Sequence, residues 1–164
     1  MRRLVAALLV LAPVYLFAQA KAPSIEGVWK VTSVVATGAG AASNTSPQPS
    51  LVIFTKGYYS YTSLAGTAPR AAATPAKDPA KPTAAEALAL YAMWNPLTAQ
   101  AGTYQLAGNT LTRRPTVAKN VAVMTTNPPI VQQARLEGNK LTLVAKSAAG
   151  QPVSETTTTL MRVE

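Results

Sequence analysis

The chain contains no cysteine and no histidine, and only six of its 164 residues are acidic. Without cysteine no disulfide can staple the fold, so an ordinary apolar core must hold it. Without histidine the Ser-His-Asp and Cys-His catalytic arrangements are excluded, together with the common His-bearing metal sites. Six scattered carboxylates argue against an acid-only metal cage, so neither a metal nor a cofactor is expected. Clustered cations are missing too. Lys and Arg total 15, yet beyond residue 20 the only adjacent pair is Arg113-Arg114. A cationic domain can attract anionic partners, but no basic cluster interleaved with aromatics marks a nucleic-acid surface. The net charge of +9 therefore reads as solvated surface charge.

What is present begins with a secretory leader. Arg2-Arg3 form a positive segment, Leu4 to Phe17 an apolar run, and Ala18-Gln19-Ala20 a small-x-small cleavage site. The apolar run spans ~14 residues and carries Pro13, short of the ~20 that a membrane-spanning helix needs. Cleavage after Ala20 is expected, leaving residues 21–164 as one exported domain, periplasmic or secreted, with no stable membrane insertion. The residues flanking Arg2-Arg3 lack the rest of a twin-arginine signal. With no cysteine after the leader, a lipoprotein anchor is excluded. Removing Arg2 and Arg3 lowers the net charge by two.

The mature chain reads as mostly strands. Residues 27–35 alternate, with Trp29, Val31, Ser33 and Val35 on one face. Residues 36–50 are small, polar and proline-bearing, and read as a loop. Leu51 to Thr55 and Tyr58 to Thr62 flank Lys56-Gly57 as a hairpin. Residues 63–82 hold Pro69, Pro75, Pro79 and Pro82 among alanines and lysines, a composition that predicts a mobile loop. Further strands are expected at 103–106, 110–114, 130–136, 140–145 and 155–163, with turns at Ala107-Gly108-Asn109 and Glu137-Gly138-Asn139. Residues 115–128 read as irregular.

One helix stands out. Thr83 followed by Glu86 is a capping box, Ala84 to Met93 are mostly helix formers, and Asn95-Pro96 stops the run. Leu88 and Tyr91 lie on one side, with Leu90, Met93 and Trp94 on another. A short helix apolar on most sides is expected to be packed. About eight strands, closely spaced turns and one short helix make the expected fold a mainly β, antiparallel barrel.

Three segments carry a family likeness: Gly27-Val28-Trp29-Lys30-Val31; Ala101-Gly102-Thr103-Tyr104 with Gly108-Asn109-Thr110-Leu111; and Leu136-Glu137-Gly138-Asn139-Lys140-Leu141-Thr142-Leu143. With Arg114 to Asn120 and the closing Leu160-Met161-Arg162-Val163-Glu164, their order over residues 25–164 resembles exported members of the bacterial lipocalin-like domain family, a calycin-type β-barrel. The resemblance implies that Trp29 closes the barrel bottom and that Arg162 packs across its ring, both as structural residues. The loops at 36–50 and 63–82 have no counterpart in it.

An eight-stranded barrel is either filled by side chains or holds one small ligand. Tyr59 and Tyr61 share one strand face and are candidate lining residues. Arg113 and Arg114 point to opposite faces, so one of them is placed to enter the barrel, where it would need a carboxylate, a carbonyl cage or an anionic ligand. A surface arginine is the more ordinary outcome and the one expected. Tyr91 and Trp94 are candidates for a lid over an apolar ligand, with a core plug the favoured alternative. The expected function is non-catalytic binding of a small apolar or amphipathic ligand by a monomer. Two alternatives stand beside it: a barrel-hosted isomerase or cyclase, using an acid or base among Tyr59, Tyr61, Tyr91, Lys119 and Glu86, and a filled barrel with a structural or envelope-partner role. No constellation of those side chains forms a recognisable catalytic set.

Overall fold

A computed structural model describes residues 24–125 and 129–164; the leader and its cleavage site lie outside them. The strands are β1 (Gly27–Gly38), β2 (Ala42–Asn44), β3 (Ser50–Thr55), β4 (Tyr58–Leu64), β5 (Leu97–Ala107), β6 (Thr110–Ala118), β7 (Ile130–Glu137), β8 (Lys140–Lys146) and β9 (Ser154–Arg162). Helix α1 (Ala84–Trp94) and the single turn α2 (Ala122–Thr125) complete the described elements. From β3 to β9 each strand pairs antiparallel with the next. β1 then pairs with both β3 and β9, which closes an eight-stranded barrel with β2 as an extra strand.

The tight turns gather at one end. Thr55 faces Tyr58 across Lys56-Gly57, whose φ values of 46° and 84° are the two positive angles of a type I′ hairpin. The β5–β6 and β7–β8 turns instead begin on a glycine of positive φ, Gly108 and Gly138, as type II′ geometry requires. The long connections, including 65–83 and α1, therefore all leave from the opposite end.

The turn end is filled. Trp29, Val52, Phe54, Leu111, Leu141, Leu143 and Leu160 are fully buried there or at mid-barrel, with Ile25 and Tyr59 beside them. Tyr104 meets Phe54 edge-on at 5.1 Å. The Arg162 guanidinium lies 4.2 Å from the Trp29 ring centre and donates to the carbonyls of Ser24 and Glu26, while Trp29 Nε1 donates to Ile25 O. Residues 24–26 are thus clamped over the barrel bottom.

The other edge of β1 is divided. Gly27, Val28 and Trp29 pair with β3, whereas Val34, Val35 and Ala36 pair with β2. Between those stretches β1 and β3 part, bridged by the Val31 amide donating to Ser50 Oγ at 2.8 Å. β2 lies inside the stretch expected to be loop; its three residues have weak strand propensity and are ordered only by the vacant β1 edge. β5 likewise begins six residues before the expected Thr103, because β4 and β6 supply partners to the alanine-rich start. At Gly102 an added Cβ would lie 2.0 Å from Arg114 O, so only glycine fits beside the bulge between Ala101 and Gly102. α2 falls in the segment expected to be irregular.

The capping box forms as expected: Glu86 N–H donates to Thr83 Oγ1, and the Thr83 amide donates to the Glu86 carboxylate at 2.8 Å. The expectation that α1 is packed is overturned. No residue of α1 is buried, and Leu88, Leu90, Tyr91 and Trp94 are all exposed. Polar ties hold the helix instead. Lys119 Nζ donates to the carbonyls of Trp94, Asn95 and Leu97, which satisfies acceptors at the helix C-terminus. Arg70 lies over the Trp94 ring at 5.7 Å, and Lys77 N–H donates to Glu86.

The Glu86 carboxyl is held below its ordinary value by the Thr83 hydroxyl, then by the Thr83 and Lys77 amides. A depressed carboxylate stabilises above its unfolded value and loses that contribution as pH falls through the folded one. The first turn of α1 is therefore expected to fray below about pH 4.3. The Cα chemical shifts of Ala84 and Ala85 should move toward coil values there, and Thr83→Ala should reproduce the change at neutral pH.

Candidate functional site

The mid-barrel site grows from strand alternation. On β4, Tyr59 and Tyr61 face inward with their partners Gly102 and Gln100 on β5. On β6, Leu111, Arg113 and Pro115 face inward, which sends Arg114 outward and leaves it exposed. Arg113 is only 5% exposed, so the expected surface arginine is corrected at this position. The reason is register: Tyr104 pairs with Arg113 and Gly102 with Pro115, both partners lying on the inner face of β5.

Around the guanidinium the chemistry is one-sided. Arg113 Nη2 donates to Gln132 Oε1 at 2.8 Å. The rings of Tyr59 and Tyr61 lie 5.2 and 5.4 Å from the guanidinium carbon, close enough for cation–π attraction. Arg113 Nε, Arg113 Nη1 and the Tyr59 hydroxyl are buried without a hydrogen-bond partner among the described residues. Among the described residues no acid compensates. Glu137 is ion-paired on the surface with Arg135 and Lys140, Glu155 approaches Lys146, and Glu86 caps α1. Burial pulls the Arg113 guanidinium below its ordinary value, against the opposing influence of Tyr59 and Tyr61. Burial pushes the Tyr59 phenol up, more than Arg113 lowers it, so the hydroxyl keeps its proton and remains a donor.

Beside this cluster, where β1 and β3 part, lies a half-open cavity of about 440 Å³. Val31, Val34, Ala36, Tyr61 and Leu64 give it mainly apolar walls, with Ser50 and Ser63 between them, and residues 42–44, 47–48 and 65–67 form its rim. Its size falls within the ~300–1,000 Å³ of small-molecule sites, and barrel mouths are a recurrent place for them. Tyr61 belongs to both features: it lines the cavity and lies against Arg113.

Of the sequence candidates, Tyr59, Tyr61 and Arg113 are brought together; Arg114, Tyr91 and Trp94 are not. Tyr91 is 63% exposed and Trp94 47%, both on α1 outside the barrel wall, so neither plugs the core. Gln132 is the residue that sequence reasoning missed. Its neighbour Val131 is 48% exposed, so at this one pair β7 buries the polar residue and exposes the apolar one, while Gln132 keeps the inward register of Ala134 and Leu136, the signal that could have found it. Among the described residues no three acidic side chains gather into a metal-binding group, and none of their helices is long and apolar enough to cross a membrane.

Compared with known proteins, the chain has no match among family models, curated proteins or solved structures.

Proposed function

We propose that this chain is an exported, monomeric, lipocalin-like protein that binds one small, largely apolar molecule in its barrel without transforming it. The observation that carries this reading is the cavity between β1 and β3, apolar in lining and open to solvent at the end where the long connections gather. The filled, clamped bottom at Trp29 supports it, because a barrel closed at one end and hollow at the other is a receptacle. Catalysis finds less support. Lys119 is committed to three carbonyls and Glu86 to the helix cap, which takes both away from the cavity.

The test uses Nile red, a neutral apolar dye whose fluorescence rises on leaving water. Wild-type protein is expected to bind it at micromolar concentration. Ser63→Trp, which places an indole in the cavity, should weaken binding at least tenfold with the β-sheet circular dichroism unchanged. Equal binding by both proteins would place the dye elsewhere, and absence of binding by wild type would favour a filled barrel with a structural role.

A further inference from the structure

Three buried polar atoms beside the cavity share one property. Arg113 Nε, Arg113 Nη1 and the protonated Tyr59 hydroxyl each have hydrogen to donate, and no acceptor faces them among the described residues. Gln132 supplies the single acceptor, already used by Nη2. A buried cation is costly when it lacks a counter-charge, and the two tyrosine rings offset only part of that cost. What is missing has a definite chemistry: an anion that accepts several hydrogen bonds in a small space, which describes a carboxylate.

We infer that the barrel's ligand is an amphipathic carboxylic acid, its apolar body in the cavity between β1 and β3 and its carboxylate on Arg113 and the Tyr59 hydroxyl. This rests on the binding function proposed above and names the ligand class for the same site. Neither Arg113 nor Tyr59 lines the cavity; Tyr61 lines it and lies against Arg113, so the assignment requires the Tyr61 ring to turn aside for the carboxylate to reach the guanidinium. Lys30, Lys56, Arg114 and Lys140 are exposed cations and do not compete for a buried head group, since water already solvates them.

A matched pair of probes separates the head group from the body: dodecanoic acid and dodecan-1-ol, each displacing Nile red from the full mature protein at pH 7. Wild type is expected to bind the acid at least tenfold tighter than the alcohol. Arg113→Met should bring the two to equal affinity and Arg113→Lys should keep part of the preference, whereas Arg114→Met, on the outer face, should leave the wild-type preference intact. A ¹³C-carboxyl label supplies a second readout, because a carboxylate beside the guanidinium stays ionised to lower pH than the free acid. Equal affinity of acid and alcohol for wild type, a preference that survives Arg113→Met, or an unshifted carboxyl titration would overturn the assignment while leaving the binding function standing. Failure of both probes and of Nile red would remove the binding function itself.

Discussion

Trp29→Ala is expected to cost about 3–5 kcal/mol, a large part of the ~5–15 kcal/mol that holds a domain of this size folded. The indole is fully buried, so truncation leaves a cavity that the surrounding structure refills only in part. Its position multiplies the loss. Trp29 pairs with Val52 on one side and Arg162 on the other, so it sits on the strand that closes the barrel. Truncation also strands Arg162, whose guanidinium spans the ring while gripping residues 24–26. The melting temperature should fall by roughly 10 °C or more. The second tryptophan is the control: Trp94 is half exposed on α1, and Trp94→Ala should change the stability by no more than about 0.5 kcal/mol, as surface changes do. Comparable losses from the two substitutions, in thermal melts followed by far-ultraviolet circular dichroism, would mean that Trp29 does not hold the barrel bottom.

That contrast shows which parts of the fold are legible in the sequence. Lys56-Gly57, the Gly-Asn turns and the Thr83–Glu86 box are set by backbone geometry within four residues, and each forms where it was expected. Strand alternation holds from Trp29 to Val31, but the bulge between Val31 and Ser33 turns Val34 and Ala36 to the cavity in place of the expected Ser33 and Val35. β2 and the first half of β5 are not set locally, since alanine, glutamine and asparagine extend there only because a partner edge is vacant. For α1 the apolar composition pointed to burial, yet the core at the turn end is built from strand residues and Ile25, and no residue of the helix is buried. The site was half legible. Alternation placed Tyr59 with Tyr61 and required Arg113 and Arg114 to diverge. Which arginine turns inward depends on pairing across β5 and β6, including the bulge at Gly102, and no single strand carries that information. Gln132 differs: residue polarity pointed it to water, but its spacing from Ala134 and Leu136 puts it on the inward face of β7.

Arg113 makes the opposite prediction to Trp29. Replacing a buried charge that lacks a counter-ion by an apolar side chain of similar length should stabilise the empty protein. Arg113→Met alone removes the desolvation cost but leaves Gln132 Oε1 buried without its donor, which costs about 1–3 kcal/mol. The double variant Arg113→Met/Gln132→Leu removes both, and a gain of about 1–4 kcal/mol is expected, as when buried ionic groups give way to packed apolar ones. It would be read as a higher urea midpoint at unchanged slope, measured without ligand. That gain is net of the cation–π contacts with Tyr59 and Tyr61 that the guanidinium gives up, and the single variant falls below the double by the cost of the stranded Gln132 acceptor. A loss of stability in the double variant would mean that the two rings and Gln132 already compensate the guanidinium, and an anion would not be needed to explain it. A gain would mean that the barrel carries a destabilising cation at its centre, and the same substitution that strengthens the fold should abolish its preference for an acid. Stability and binding moving in opposite directions at one residue distinguish a retained ligand site from an arginine that merely packs.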